Sequence, residues 1–314
     1  MHKPSAGLPA GGLVLAVFGP TGVGKTEVAA ELAALLAERR PVGVSADAIA
    51  VYEGLDVLAA KPPPEPLEYR MVSVVPVEEE FSAGRYAELA HPEIDALVDE
   101  GRLPIVVGGT GLYLRAALTD LDLRPPPEGE LRERLERELA EVGPESLHGR
   151  LSPDTARTVH PNDRKRIVRA LELELMGKPP HTGSEELWSD QLRRPTALFG
   201  LTMDRDTLVE RIRARAGEML AGGAIEEVER ALALQASRTA RKALGFKEIA
   251  AHLSGNLSLE EARARIERGH IAYVKRQVTW MKKLAGVEII DRTDLPAATV
   301  AGHLHGRIGV VRSR

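Results

Sequence analysis

Residues 19–26 read Gly-Pro-Thr-Gly-Val-Gly-Lys-Thr, and this octet constrains the fold more than any other feature of the chain. It fits the pattern G-x-x-x-x-G-K-S/T, which acts as a phosphate loop only when it follows a strand and opens a helix. Both conditions are met. Leu13 to Phe18 is a short apolar run, and Thr26 to Glu38 carries Val28, Ala29, Leu32, Leu35 and Leu36 at helical spacing. In such a loop the glycines turn backbone N–H groups toward a phosphate, and the helix start adds partial positive charge. Gly19, Pro20, Thr21, Gly22, Val23, Gly24, Lys25 and Thr26 are therefore candidate phosphate-binding positions. Lys25 supplies a full charge, and the Thr26 hydroxyl is a candidate ligand for Mg2+. The loop specifies phosphates; it does not specify a nucleoside.

Two further apolar runs end in polar loops. Val42 to Ala46 stops at Asp47, and Leu103 to Val107 stops at Gly108-Gly109-Thr110-Gly111. Strands alternating with helices predict an α/β fold with a parallel sheet flanked by helices. Sites of such sheets gather at the carboxyl ends of the strands, so the loops at Gly19, Asp47 and Gly108 are expected to define one cleft. Nucleotide-hydrolysing P-loop proteins usually carry an acid at the end of a later strand, but Val107 is followed by glycine. The acid here is Asp47. Two readings of it are open: it caps the following turn, or it orients and deprotonates an acceptor, as in small-molecule kinases.

Arg124-Pro-Pro-Pro-Glu-Gly interrupts the pattern. Helical stretches follow at Leu131 to Val142 and Asp163 to Met176, with Pro179, Pro180 and Gly183 behind them, and strand-like Ala197 to Met203 resumes the alternation. The expected organisation is an α/β core of 1–123 and 195–314 with a helical insertion at 124–194. Helical periodicity continues through 208–220, 225–234, 246–253 and 259–284. The chain lacks cysteine, which excludes disulfides and thiolate-held metal, and its histidines show no H-E-x-x-H spacing. No apolar stretch approaches the roughly 18 residues of a membrane span, so a cytoplasmic protein is expected. Charge is unevenly spread: Glu53 to Glu100 holds 12 acidic and 3 basic residues, a balance of −9, and the net charge of −4 leaves +5 elsewhere. The basic excess lies around 164–169, 205–215 and 263–283.

In order along the chain, GPTGVGKT at 19–26, SAD with VYEGLDV and AKP at 45–62, VGGTGLYLRA at 107–116, HPNDRKRIVRALEL at 160–173 and KRQVTWMK at 275–282 resemble the tRNA dimethylallyltransferases. KALGFKE at 242–248 is a sixth, looser match. The resemblance implies a P-loop-type core with a tRNA-binding helical insertion. It also implies transfer of a dimethylallyl group from dimethylallyl diphosphate to the N6 amine of the adenosine 3′-adjacent to the anticodon. Carried over residue by residue, it makes Asp47 the catalytic acid–base residue and Thr110 a contact to the diphosphate near the breaking bond. The cradle around Lys25 then holds pyrophosphate. Two tracts would contact the tRNA anticodon stem-loop: Asp47, Ala48, Ile49 and Ala50, and Lys165, Arg166, Ile167, Val168 and Arg169, with Thr110 and with Arg132 on the helix after the proline break. Mg2+ is the implied cofactor, and a monomer without membrane attachment is expected.

Such chemistry accounts for the residues. An adenine amine is a poor nucleophile whose proton must be accepted, and a leaving pyrophosphate needs stabilised negative charge. Departures from the family pattern are Ala48 where serine is usual, Ala59 where threonine is usual and Ile271 where arginine is usual. A P-loop small-molecule or nucleotide kinase and prenylation of free AMP or ADP are the alternatives. Arg166 and Arg169 also have a plain structural reading, as helix-surface partners of Asp163 and Glu172, and Trp280 reads as core.

Overall fold

Val14–Phe18 (β1) is buried at all five positions, and so is Pro104–Gly108 (β4). Unbroken burial on both faces is the signature of a central parallel strand covered by helices. A computed structural model describes residues 12–121, 123, 129–178 and 187–308. The proline run at 124–128 and Pro179, Pro180 and Gly183 lie outside the described residues. Six strands form one sheet in the order β3-β2-β4-β1-β5-β6, where β2 is Val42–Ser45, β3 Tyr69–Arg70, β5 Thr196–Thr202 and β6 Glu288–Asp291. All the pairings are parallel. The strands expected at 13–18, 42–46, 103–107 and 197–203 are present to within one residue.

Contacts divide the chain into two compact units, 1–120 with 190–314, and 121–189. In the first, Leu15, Val17, Ile105, Phe199 and Leu201 project from the sheet into one apolar core. Helix α1 (Lys25–Leu35) enters that core through Val28, Ala29 and Leu32, and α12 (Ala297–Ile308) through Val300, Ala301 and Leu304. Each such aliphatic side chain contributes about 1.5–3 kcal/mol by leaving water. Helices α3 (Ala83–Asp99) and α4 (Gly111–Leu118) pack on each other, and α3 also contacts β2 and β4. Short α2 spans Asp56–Ala59. The buried Glu227 carboxylate accepts from Val57 N–H at 2.8 Å and Leu58 N–H at 3.0 Å, which satisfies the start of that helix.

The second unit holds α5 (Gly129–His148), α6 (Pro153–Thr158) and α7 (Arg164–Leu175) around Leu135, Leu139, Leu147, Ile167 and Leu171. Helix α5 is interrupted at Gly143, with φ 80° and ψ 168°, one residue past the end expected at Val142. The first unit continues as α8 (Arg205–Ala221), α9 (Ala224–Ala233), α10 (Phe246–Leu253) and α11 (Leu259–Met281). Helix α11 begins with a capping box between Ser258 and Glu261.

Candidate active site

The cradle is built by the turn between β1 and α1. Gly24 sits before the first helical residue with φ 83°, a left-handed conformation that side chains disfavour, and a Cβ there would overlap the Arg292 guanidinium. No side chain caps this helix start, so its first N–H groups remain available to an anion. Lys25 Nζ donates to the Pro20 carbonyl at 3.0 Å, which folds the side chain back over the loop. Desolvation lowers the Lys25 pKa to about 8, opposed by the Asp47 carboxylate and reinforced by Arg215. Arg292, buried just beyond β6, donates to the Gly24 carbonyl at 2.9 Å and lies 3.4 Å from the Glu27 carboxylate. The C-terminal strand therefore braces the loop from behind.

Asp47 follows β2. Its Oδ1 accepts from Ile49 N–H at 2.8 Å and Ala50 N–H at 3.2 Å, so the carboxylate does cap the turn. The two readings of this residue are compatible, because Oδ2 has no hydrogen-bond partner among the described residues. The Asp47 charge acts on Lys25 and Arg215, and it raises the phenol pKa values of Tyr86, Tyr113 and Tyr273 on top of their burial. Few aromatic residues exist in this chain, yet several gather here. Tyr86 and Tyr113 have ring centroids 4.8 Å apart, Phe81 lies 6.4 Å from both Tyr52 and Tyr113, and the Tyr86 hydroxyl donates to the Ser45 carbonyl at 2.9 Å.

Thr110 opens α4, and its hydroxyl lies 3.3 Å from that of Tyr273 on α11. One turn further along α11, Gln277 links the cradle to the Thr110 loop, and the Trp280 indole packs on Gly111. Trp280 is thus a packing residue at this end of the sheet.

A cavity of about 340 Å3 is lined by Gly24, Lys25, Thr26, Asp47, Gly109 and Arg215, among others. The loops after β1, β2 and β4 do define one cleft. Ala50 and Ala59 also line it, while Ile271 packs against the sheet core, so that position brings no cation to the site. Arg215 from α8 brings one instead. Desolvation lowers its pKa, Asp47 and Glu218 raise it, and it lies between this cavity and a neighbouring one of about 770 Å3. Among the described residues no group of three or more His, Asp or Glu is placed to hold a metal, and no helix is long and apolar enough to cross a membrane.

In the helical unit the expected basic tract divides by burial. The Ile167 and Val168 side chains point into that unit's own core. Helix periodicity turns these two inward while Lys165 and Arg166 reach solvent. Arg132 is ion-paired with the fully buried Glu172, and Arg169 lies 3.2 Å from the same carboxylate. Arg166 lies 3.4 Å from Asp163, and its side chain stays 66% exposed.

Arg215, Tyr273, Gln277 and Arg292 are site residues to which the sequence reading assigned no role. A signal existed for Gln277: it falls in register with Ala262, Ile266 and Met281 on the buried face of α11, where a polar residue needs a partner. Arg215 similarly abuts the buried stripe of Leu208, Ile212 and Ala216.

The sequence model of the family described as IPP transferase matches residues 50–284. A protein named tRNA dimethylallyltransferase from Acetivibrio thermocellus is 38% identical over 293 residues, 90% of this chain and 92% of the relative. One of the same name from Anaeromyxobacter dehalogenans is 42% identical over 279 residues, covering 86% and 92%. The crystal structure of the full-length tRNA isopentenylpyrophosphate transferase from Bacillus halodurans superposes with a TM-score of 0.70 at 32% identity, covering 95% of this chain and 96% of that one. With the cradle, the carboxylate and the Thr110 loop meeting on one sheet edge, this chain belongs to the IPP transferase family.

Proposed function

We propose that the protein transfers a dimethylallyl group from dimethylallyl diphosphate to the N6 amine of the adenosine 3′-adjacent to the anticodon in tRNA, releasing pyrophosphate. The observation that carries this reading is that Asp47 and the Lys25 cradle line the same cavity. A leaving diphosphate on one wall and a proton acceptor on the other are what an alkyl transfer to an amine needs.

In this reaction the allylic C–O bond breaks, and its electron pair stays on the ester oxygen, which becomes a terminal oxygen of the released pyrophosphate. The N6 lone pair forms the new C–N bond, and the amine proton passes to Asp47. Lys25, Arg215 and the N–H groups at the start of α1 face the growing negative charge, a term that often dominates such barriers. Thr110 donates to the diphosphate near the breaking bond. Base catalysis by Asp47 supplies about 10²–10⁴-fold. Oδ1 is held by the turn, so the carboxylate is oriented before the substrate arrives.

Thr26 and Asp47 both line the cavity, and such hard oxygen donors suit Mg2+. Thr26 and the substrate phosphates would hold the ion, which when bound neutralises charge on the departing pyrophosphate. The absence of an acid at the end of β4 favours this reading over a kinase, which needs an ion held for phosphoryl transfer.

The helical unit offers Lys165 and Arg166, with Arg169 beside them, to the RNA backbone. A base inside an anticodon loop must be splayed out to enter a cleft, and a positively charged surface compensates the strand held that way. Free AMP or ADP would need no such tract. The expected setting is a cytoplasmic monomer acting on tRNA.

Incubation with isotope-labelled dimethylallyl diphosphate and unmodified tRNA, followed by nucleoside mass spectrometry, tests the reading. Label on adenosine next to the anticodon is expected. Transfer to free AMP alone, or ATP-dependent phosphorylation of a small molecule without RNA labelling, would overturn it.

A further inference from the structure

Gln277 is 3% exposed, and its amide joins two loops that arise from different strands. The Thr21 N–H donates to Oε1 at 3.0 Å, and Nε2 donates to the Gly109 carbonyl at 2.8 Å. The partners dictate this orientation, because a backbone N–H only donates and a carbonyl only accepts. Thr21 lies in the cradle, and Gly109 immediately precedes Thr110. The β1–β4 ladder ends at Phe18 paired with Gly108, so the two segments leave regular pairing where Gln277 takes over.

Gly109 is shaped to this contact. A Cβ there would overlap Gln277 Nε2 and would stand 3.1 Å from the Gly19 carbonyl oxygen and 3.4 Å from Lys25 Nζ. The loop carrying Thr110 thus runs directly against the cradle, and the amide fills the place a side chain would take.

We propose that Gln277 is a positioning residue that sets the spacing between the diphosphate cradle and Thr110, so that binding the diphosphate and aligning Thr110 on the breaking bond are one event. The proposal rests on the reading above that Thr110 meets the diphosphate. Only a group that both donates and accepts performs this task. An ionised carboxylate accepts from Thr21 but repels the Gly109 carbonyl, and a thioether serves neither.

The test compares wild type, Gln277→Glu and Gln277→Met by single-turnover transfer at saturating tRNA, by calorimetry with inorganic pyrophosphate, and by thermal melting. Gln277→Met is expected to lower the single-turnover rate by roughly tenfold or more, as misplacement of about an ångström does, and to weaken pyrophosphate binding. Gln277→Glu is expected to be equally slow near pH 8 and to recover, as a ratio to wild type at each pH, as pH falls toward about 5.5, because burial beside the Gly109 carbonyl lifts the carboxyl above its ordinary range and lets it regain a donor. Lys25, the charged group on the cradle side, titrates at the upper end of that range with its pKa lowered to about 8, and it does so in wild type as well, so the ratio to wild type at each pH removes its contribution. A glutamate variant within about twofold of wild type near pH 8, or a flat ratio across pH, would overturn the proposal. Calorimetry separates the two readings. If wild type transfers nothing to tRNA, the proposed function fails, whereas unaltered pyrophosphate affinity in a folded Gln277→Met protein overturns the role of Gln277.

Discussion

The hydroxyl of Tyr273 lies 3.3 Å from that of Thr110, joining the middle of the longest helix to the first residue before α4. Burial, then the nearby Asp47 charge, raises the Tyr273 pKa, so the phenol keeps its proton. When Thr110 donates to a diphosphate oxygen, it can therefore accept from Tyr273. Tyr273→Phe should slow single-turnover transfer by roughly 3- to 30-fold with tRNA affinity unchanged, and it should add nothing to Thr110→Val. Additive losses in the double mutant would show that the two hydroxyls act separately.

Lys25 titrates near neutrality, with a pKa lowered to about 8 by desolvation. Free protein loses this charge as pH rises through that value, whereas bound pyrophosphate retains it. Pyrophosphate affinity should therefore fall above pH 8, by up to about tenfold per unit, with proton uptake on binding visible by calorimetry in buffers of different ionisation heat. The sign for stability is opposite. Because the unfolded chain holds the proton up to its ordinary value of 10.5, Lys25 makes the ligand-free protein more stable as pH rises from about 8. Lys25→Met should raise the ligand-free melting temperature at pH 7 and abolish pyrophosphate binding. A lower melting temperature would contradict the desolvation account.

Asp47 has two duties, and substitutions separate them. Asp47→Asn keeps an oxygen for the Ile49 and Ala50 N–H groups and removes the base, so transfer should fall by about 10²–10⁴-fold with little change in melting temperature. Asp47→Ala should lose both transfer and the turn. Near wild-type turnover by the asparagine variant would remove Asp47 from proton transfer.

Arg166 and Arg132 should separate RNA affinity from stability. Arg166→Ala removes an exposed charge, and it should weaken tRNA binding and lower the salt slope by about 1 without changing the melt. Arg132→Ala leaves the buried Glu172 short of a partner and should destabilise the helical unit by about 3 kcal/mol in urea unfolding. An unchanged salt slope for Arg166→Ala would take that residue out of the RNA surface.

The phosphate loop, Asp47 and the Thr110 loop were legible because each depends on a short contiguous run: a strand, a turn and a helix start. Periodicity likewise marked the four main strands and the helices of the C-terminal third. Elements with weaker patterns were not anticipated. Helix α3 carries Pro92 within it, α12 holds two glycines, and β6 alternates half-buried and exposed positions at the sheet edge.

What the amino-acid order determined alone is local chemistry: which backbone turns to a phosphate, which strand ends in a carboxylate, which helices carry positive charge. Only the tertiary structure decided which distant side chains complete the site. Arg215 lines the cleft, and Tyr273, Gln277 and Arg292 contact the loops around it, each from more than 100 residues away in the sequence. A hydrogen bond between Gln277 and Thr21 spans 256 positions, and no spacing rule reaches that far. Burial decided the rest, because Ile167 and Arg132 look like surface neighbours of basic residues until packing turns one inward and pairs the other with Glu172.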